Sequence, residues 1–193
     1  EIVVNLDRSN HEAAIELAPP DMTIERAGFG DFPLYDQDLQ AATVPPPVKA
    51  LADRILRADG VLIVSPEYNH SIPGGLKNAI DWLSRDQRGP FRQKPVAIMG
   101  ASPGRFGTVR MQYHLRQVLV GLDARVLNKP EVMVGGAAAL FDAEGRLADA
   151  ATRDIVGGQL AALARAIGGR RPPAGGRGGP EPAGRPVRSD PPP

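Results

Sequence analysis

Cysteine is absent from the sequence, which excludes disulfide bonds, thiol catalysis and Cys-ligated zinc or iron–sulfur sites while leaving the compartment open. Histidine is scarce. His11, His70 and His114 do not have the spacing of metal ligands, so no metal centre is expected. Ser, His and Asp all occur, but there is no Gly-x-Ser-x-Gly elbow, which argues against a hydrolase triad. No apolar run approaches the roughly 20 residues that cross a bilayer, and no basic, apolar, small-residue leader opens the chain. The expectation is a soluble cytoplasmic protein with no membrane partner. Glu1 stands where a start Met is expected, so the start is not taken as native. A large excess of one charge is also missing, with 23 basic residues against 22 acidic ones, so nucleic acid is not the expected partner of the body.

What is present suits one domain: 193 residues with 42% hydrophobic content can bury a sizeable core. The near-neutral total hides a split. Residues 168–193 hold five Arg against Glu181 and Asp190 and are dominated by Gly, Pro and Arg with almost no apolar residue, so this tail is expected to be disordered, and the domain to end at residue 167.

The clearest stretch is VLIVSPEYNHSIPGGLKNAIDW, residues 61–82. Residues 61–64 form a short apolar run rich in β-branched side chains, which fits a parallel strand buried on both faces. Leu76, Ala79, Ile80 and Leu83 then recur at helical spacing, with Lys77, Asn78 and Asp81 on other faces. Between strand and helix lie Glu67, Tyr68, Asn69, His70 and Ser71, closed by Pro73, Gly74 and Gly75. Open α/β sheets bind ligands in such loops at the carboxyl ends of parallel strands.

The rest of the chain alternates in the same way. A strand is predicted over residues 1–4, followed by a polar turn over 5–10. A short helix comes next, with the Ser-x-x-Glu spacing of a capping box from Ser9 to Glu12. A second strand over 23–29 precedes a loop running through 34–38, and Pro45 to Pro47 lead into a helix with Val48, Leu51, Ile55 and Leu56 on one face. Residues 95–101 read as the next buried strand, followed by the Gly-bearing loop 102–107 and a helix with Met111, Leu115, Val118, Leu119 and Leu122 inward. Residues 124–127 and 131–134 supply a last strand interrupted at Asn128, Lys129 and Pro130, and a final helix over 149–167 is weakened by Gly157 and Gly158. The implied fold is α/β, a three-layer doubly wound sheet of about five parallel strands.

The loop Pro66-Glu67-Tyr68-Asn69-His70-Ser71-Ile72-Pro73-Gly74, continued to Trp82, resembles the signature of the NAD(P)H-dependent FMN reductase family, which is flavodoxin-like and includes quinone, chromate and azo-dye reductases. Residues 34–39, Ser102 to Gly107 with Arg110, and Glu131-Val132-Met133 extend the resemblance. It implies FMN and NADPH (or NADH) as cofactors, hydride passing through flavin N5 to a quinone-like, free-flavin or similar small-molecule acceptor, and a homodimer or homotetramer. Pro66, Glu67, Tyr68, Asn69 and Ser71 would wrap the isoalloxazine ring, with Ser102 and Gly104 flanking it. The flavin carries the chemistry, so no catalytic acid or base is implied.

One stretch departs from the family pattern. Where relatives carry a Gly/Ser-rich phosphate turn, this chain reads Val4-Asn5-Leu6-Asp7-Arg8-Ser9-Asn10, without the glycine and with an added carboxylate. Arg8, Ser9 and Asn10 are its candidate phosphate ligands, and Ser9 reads equally as a plain helix cap. Glu67 reads as a solvated loop acid outside the motif and as a flavin-loop residue within it. Trp82 reads as packing or a subunit contact, His70 as surface, and His114 and Arg116 as a solvated helix face. Two other functions stay open at this level: a cofactor-poor scaffold that has lost the phosphate turn, and a partner- or RNA-binding protein acting through its Arg/Gly tail.

Overall fold

The computed structural model describes residues 2–5 and 8–169, with side chains from residue 12 onward. Six strands, β1 (Ile2–Asn5), β2 (Glu25–Ala27), β3 (Val61–Val64), β4 (Pro95–Ala101), β5 (Arg125–Val126) and β6 (Val132–Val134), form one parallel sheet. Their order is β2-β1-β3-β4-β5, with β6 also on β4. This is the flavodoxin-type order of a doubly wound sheet. β5 and β6 occupy one edge position in two pieces, Val126 opposite Val96 and Val132 opposite Met99, with the anticipated interruption between them.

Every residue of β3 and β4 is buried, as the unbroken apolar runs require of strands covered on both sides. Ile63 and Ile98 face α3 (Pro46–Arg57), α4 (Gly74–Leu83) and α5 (Val109–Gly121), where Ile55, Leu76 and Leu115 meet them. Leu62 and Met99 face the opposite layer, supplied by α1 (Arg8–Glu16) and α6 (Ala150–Gly168) through Ala14, Leu160 and Leu163. Two buried glutamines brace the broken edge from opposite layers. Gln159 Nε2 donates to Ile98 O (3.0 Å) and Pro130 O (2.8 Å), and Gln112 Nε2 donates to Val132 O (2.7 Å). Among the described residues no helix is long and apolar enough to cross a membrane.

The sequence-based expectations need three corrections. Helix α1 begins at Arg8, which puts Ser9 inside the first turn rather than at the cap. β2 is three residues long instead of seven, because only Ile2, Val3 and Val4 of β1 pair with it. Overlapping the end of the stretch read as loop, 34–38, α2 (Gln37–Ala42) forms because Asp36 accepts from Asp38 N (2.7 Å) and Leu39 N (3.1 Å), a side-chain N-cap. The final helix is present as expected, α6 running unbroken through Gly157 and Gly158 with Val156, Gln159, Leu160 and Leu163 buried beside them. The stretch 170–193, expected to be disordered, lies outside the described residues.

Candidate active site at the carboxyl edge of the sheet

Strands β3 and β4 finish side by side, Val64 opposite Met99, and Ser65 N donates to Met99 O at 3.0 Å. They approach so closely at Gly100 that a Cβ there would overlap Ser65 O and stand 2.7 Å from Thr108 Oγ1. Only glycine fits, and this crossing sets where the two following loops begin.

The first loop folds back on itself. Tyr68 N donates to Ser71 O (3.1 Å) and Ser71 N to Tyr68 O (2.9 Å), with Asn69 (φ 48°) and His70 (φ 62°) between them in the left-handed region. This is the geometry of a type I′ turn. Asn tolerates that region, whereas for His the conformation costs about 1–2 kcal/mol. Among the described residues the backbone N–H groups of Glu67, Asn69 and His70 have no acceptor. Tyr68 is exposed beside them.

Glu67 is neither solvated nor aimed outward. Its side chain is 8% exposed, accepts from Met111 N at 3.0 Å and lies 3.6 Å from Arg110 Nη1. Thr108 gives α5 no side-chain cap, so the Glu67 carboxylate does so from a different loop, at the end of the helix where negative charge is favoured. Ser71 Oγ lies 3.1 Å from His114 Nδ1, a second tie to α5.

The second loop carries Ser102 and Gly104. Ser102 Oγ accepts from Gly104 N (3.1 Å), Ser102 N donates to Val134 O (2.9 Å), and Gly136 N donates to Gly104 O (3.1 Å). Gly104 is exposed and the loop rests on the segment after β6. Beyond it, Arg110 lies over the exposed Phe106 ring at 5.2 Å. The structure therefore brings Pro66, Glu67, Tyr68, Asn69 and Ser71 next to Ser102 and Gly104, on adjacent strand ends. Arg8, Ser9 and Asn10 form the first turn of α1, past the end of β1, whose Asn5 pairs with Val64. Their side chains lie outside the described residues.

Sequence reasoning missed the contacts of four residues. Asn78, read only as lying off the apolar face, accepts from Tyr35 N (2.8 Å) and donates to Pro33 O (2.9 Å), and Trp82 Nε1 donates to the same carbonyl (2.9 Å). Their separation of one helical turn puts the two residues on one stripe, a signal present in the sequence. Trp82 is otherwise the packing residue expected, buried and edge-on to Tyr35 at 5.1 Å. Arg116 is not solvated. It donates to Leu127 O at 2.8 Å, beside the break in the edge strand. His114 is exposed as read, but touches Ser71. A cavity of about 580 Å³ lies at the far end of α4, lined by Leu83, Arg85, Phe91 and Asp123, more than two helical turns from the two loops.

Comparison with known proteins shows the family to which the chain belongs. The family model described as NADPH-dependent FMN reductase matches residues 8–139. The chain belongs to the NADPH-dependent FMN reductase family. An NAD(P)H-dependent FMN reductase of Pseudomonas aeruginosa is 53% identical to it over 152 residues, covering 79% of this chain and 82% of that protein. A quinone reductase of Escherichia coli is 50% identical over 155 residues, with the same coverage. The solved structure of FerB, a flavoenzyme NAD(P)H:(acceptor) oxidoreductase from Paracoccus denitrificans, superposes with a TM-score of 0.78 at 31% identity, covering 87% of this chain and 96% of that one. An archaeal flavodoxin at 10% identity and a TM-score of 0.57 shares the fold. This FMN reductase is thus an NAD(P)H-dependent oxidoreductase with FMN and NAD(P)H as its cofactors. Its donor set fits the flavin: unpaired backbone N–H groups suit the carbonyl oxygens and ring nitrogens of an isoalloxazine.

Proposed function

We propose that the reductase holds the isoalloxazine ring of FMN between residues 66–71 and Ser102 to Gly104, and hands electrons from NAD(P)H to a quinone-like acceptor. The observation that carries this reading is that, among the described residues, the N–H groups of Glu67, Asn69 and His70, at the carboxyl edge beside β4, have no acceptor. The flavin's contribution, when bound, is hydride acceptance at N5 and donation to the acceptor. The chain's own residues bind and orient. The loop amides donate to the ring, the exposed Gly104 leaves the neighbouring loop free of side-chain bulk, and Tyr68 shields the ring margin from water. Arg8, Ser9 and Asn10, in the first turn of α1, take the phosphate. No side-chain acid or base is needed.

The quinone-like acceptor rests on the relatives, of which those of Escherichia coli and Pseudomonas putida are named quinone reductases. A homodimer is consistent with the large apolar side chains left in solvent, Leu34 and Val120 foremost. A cytoplasmic setting suits an enzyme that consumes NAD(P)H. The test is to add FMN, record the visible spectrum, titrate anaerobically with NADPH and then supply a benzoquinone. Bleaching followed by recovery is expected. A protein that is colourless once unbound FMN has been removed by gel filtration refutes the reading, and light scattering measures the subunit number.

A further inference from the structure

We infer that Glu67 is a positioning residue that fixes the flavin loop by clamping it to the start of α5, and that it does not touch the flavin with its side chain. This rests on the placement of the ring proposed above. Both carboxylate oxygens are committed elsewhere, one to Met111 N at 3.0 Å and the other facing Arg110 Nη1 at 3.6 Å. A carboxylate bound to a backbone N–H makes a stronger bond than a neutral acceptor, and this one is nearly buried.

The loop needs such a clamp. Asn69 and His70 both sit in the left-handed region, a conformation that persists only where the surroundings over-determine it. Among the described residues its other ties are the reciprocal Tyr68 and Ser71 backbone bonds, the bond from Ser65 Oγ to Pro66 O, and the Ser71 to His114 contact, which is exposed. Glu67 adds a buried tie to the first turn of a helix whose own cap residue contributes no side-chain bond. The open N–H groups of Glu67, Asn69 and His70 are therefore held in one arrangement before a ligand arrives. Pre-organisation of this kind raises affinity by lowering the cost of ordering.

Length and charge of the side chain separate in two variants. Glu67→Gln keeps the reach and an acceptor oxygen; Glu67→Asp keeps the charge and loses one methylene of reach. If the clamp is the function, the Asp variant binds FMN about tenfold more weakly and changes the visible circular dichroism of the bound flavin, while the Gln variant, which keeps the reach and loses the charge-assisted bond, falls between it and wild type. A residue with a merely structural role would lower the melting temperature of both and leave the flavin spectrum unaltered. An Asp variant that binds like wild type, or a Gln variant as weak as Asp, overturns the inference. Hydrogen exchange on the wild-type protein tests the underlying placement separately. FMN should protect the amides of residues 67–70. Absence of that protection refutes the ring site and this inference with it, whereas protection together with an unaffected Asp variant refutes the clamp alone.

Discussion

Gly100→Ala tests the junction on which the site is built. The added methyl would overlap Ser65 O and stand 2.7 Å from Thr108 Oγ1 and 3.0 Å from Thr108 Cγ2. Neither neighbour can swing away. Ser65 is fully buried and its N–H is bonded to Met99 O, while Thr108 is fully buried with its hydroxyl accepting from Gln112 Nε2 at 3.0 Å. Overpacking costs about 1–3 kcal/mol, and a collision with backbone belongs at the upper end. For a domain of this length about 3 kcal/mol lowers the melting temperature by roughly 6–12 °C. The matched control is Gly157→Ala, inside α6 with nothing within 4 Å of the added Cβ, where the change should stabilise by up to about 1 kcal/mol. Thermal melts followed by far-ultraviolet circular dichroism read both. A Gly100→Ala protein melting within about 2 °C of wild type would show that the strand ends are not jammed as described, and the reasoning for the loop positions would fall with it.

Three further perturbations probe the scaffold. Asn78→Ala removes the donor to Pro33 O and the acceptor for Tyr35 N; with Trp82 still bonded to Pro33 O, the loss should be about 1–2 kcal/mol in urea titrations with the slope unchanged. Lys94→Met strips Nζ from Leu56 O (3.2 Å) and Ala58 O (2.5 Å) at the end of α3, leaving carbonyls without their donor, and should destabilise by about 1–3 kcal/mol on the same titration. Glu131 is held below the ordinary carboxyl value of 4.5, chiefly by its hydrogen bond from Lys129 and further by Tyr113. Because the folded pKa is the lower one, its stabilisation is complete above 4.5 and disappears as pH falls through the folded value. Glu131→Gln should therefore melt below wild type at pH 7, by under about 1 kcal/mol for so exposed a partner, and the gap should close in acid; a gap that widens in acid refutes the assignment.

Where the sequence was informative, burial set the pattern. Residues 61–64 and 95–101 are apolar throughout because both faces are covered, and no other arrangement of a short strand demands that. The loop at residues 66–71 was legible because its residue types are unusual together. The direction of its side chains was not. Glu67 turns inward to a helix start 44 residues away, and nothing local distinguishes that from an acid turned to solvent. The same holds for Arg116, whose partner Leu127 lies beyond the helix end. Helix α2 escaped notice because six residues with no buried side chain leave no periodic stripe, and only Asp36 marks its start. The brevity of β2 came from the number of β1 residues that pair with it, a tertiary quantity.

The broken edge has a consequence for self-association. An open strand edge is a template on which another chain can add a strand, and long, flat, apolar edges lead to aggregation. At one side of this sheet the template is two and three residues long, with a proline in the gap and a glutamine side chain filling the place of a ladder bond. At the other side β2 offers three residues, of which Glu25 and Arg26 are charged and exposed. Neither border carries enough consecutive backbone to seed a foreign strand, so the wholly apolar β3 and β4 remain interior to a sheet that resists growth into a fibre.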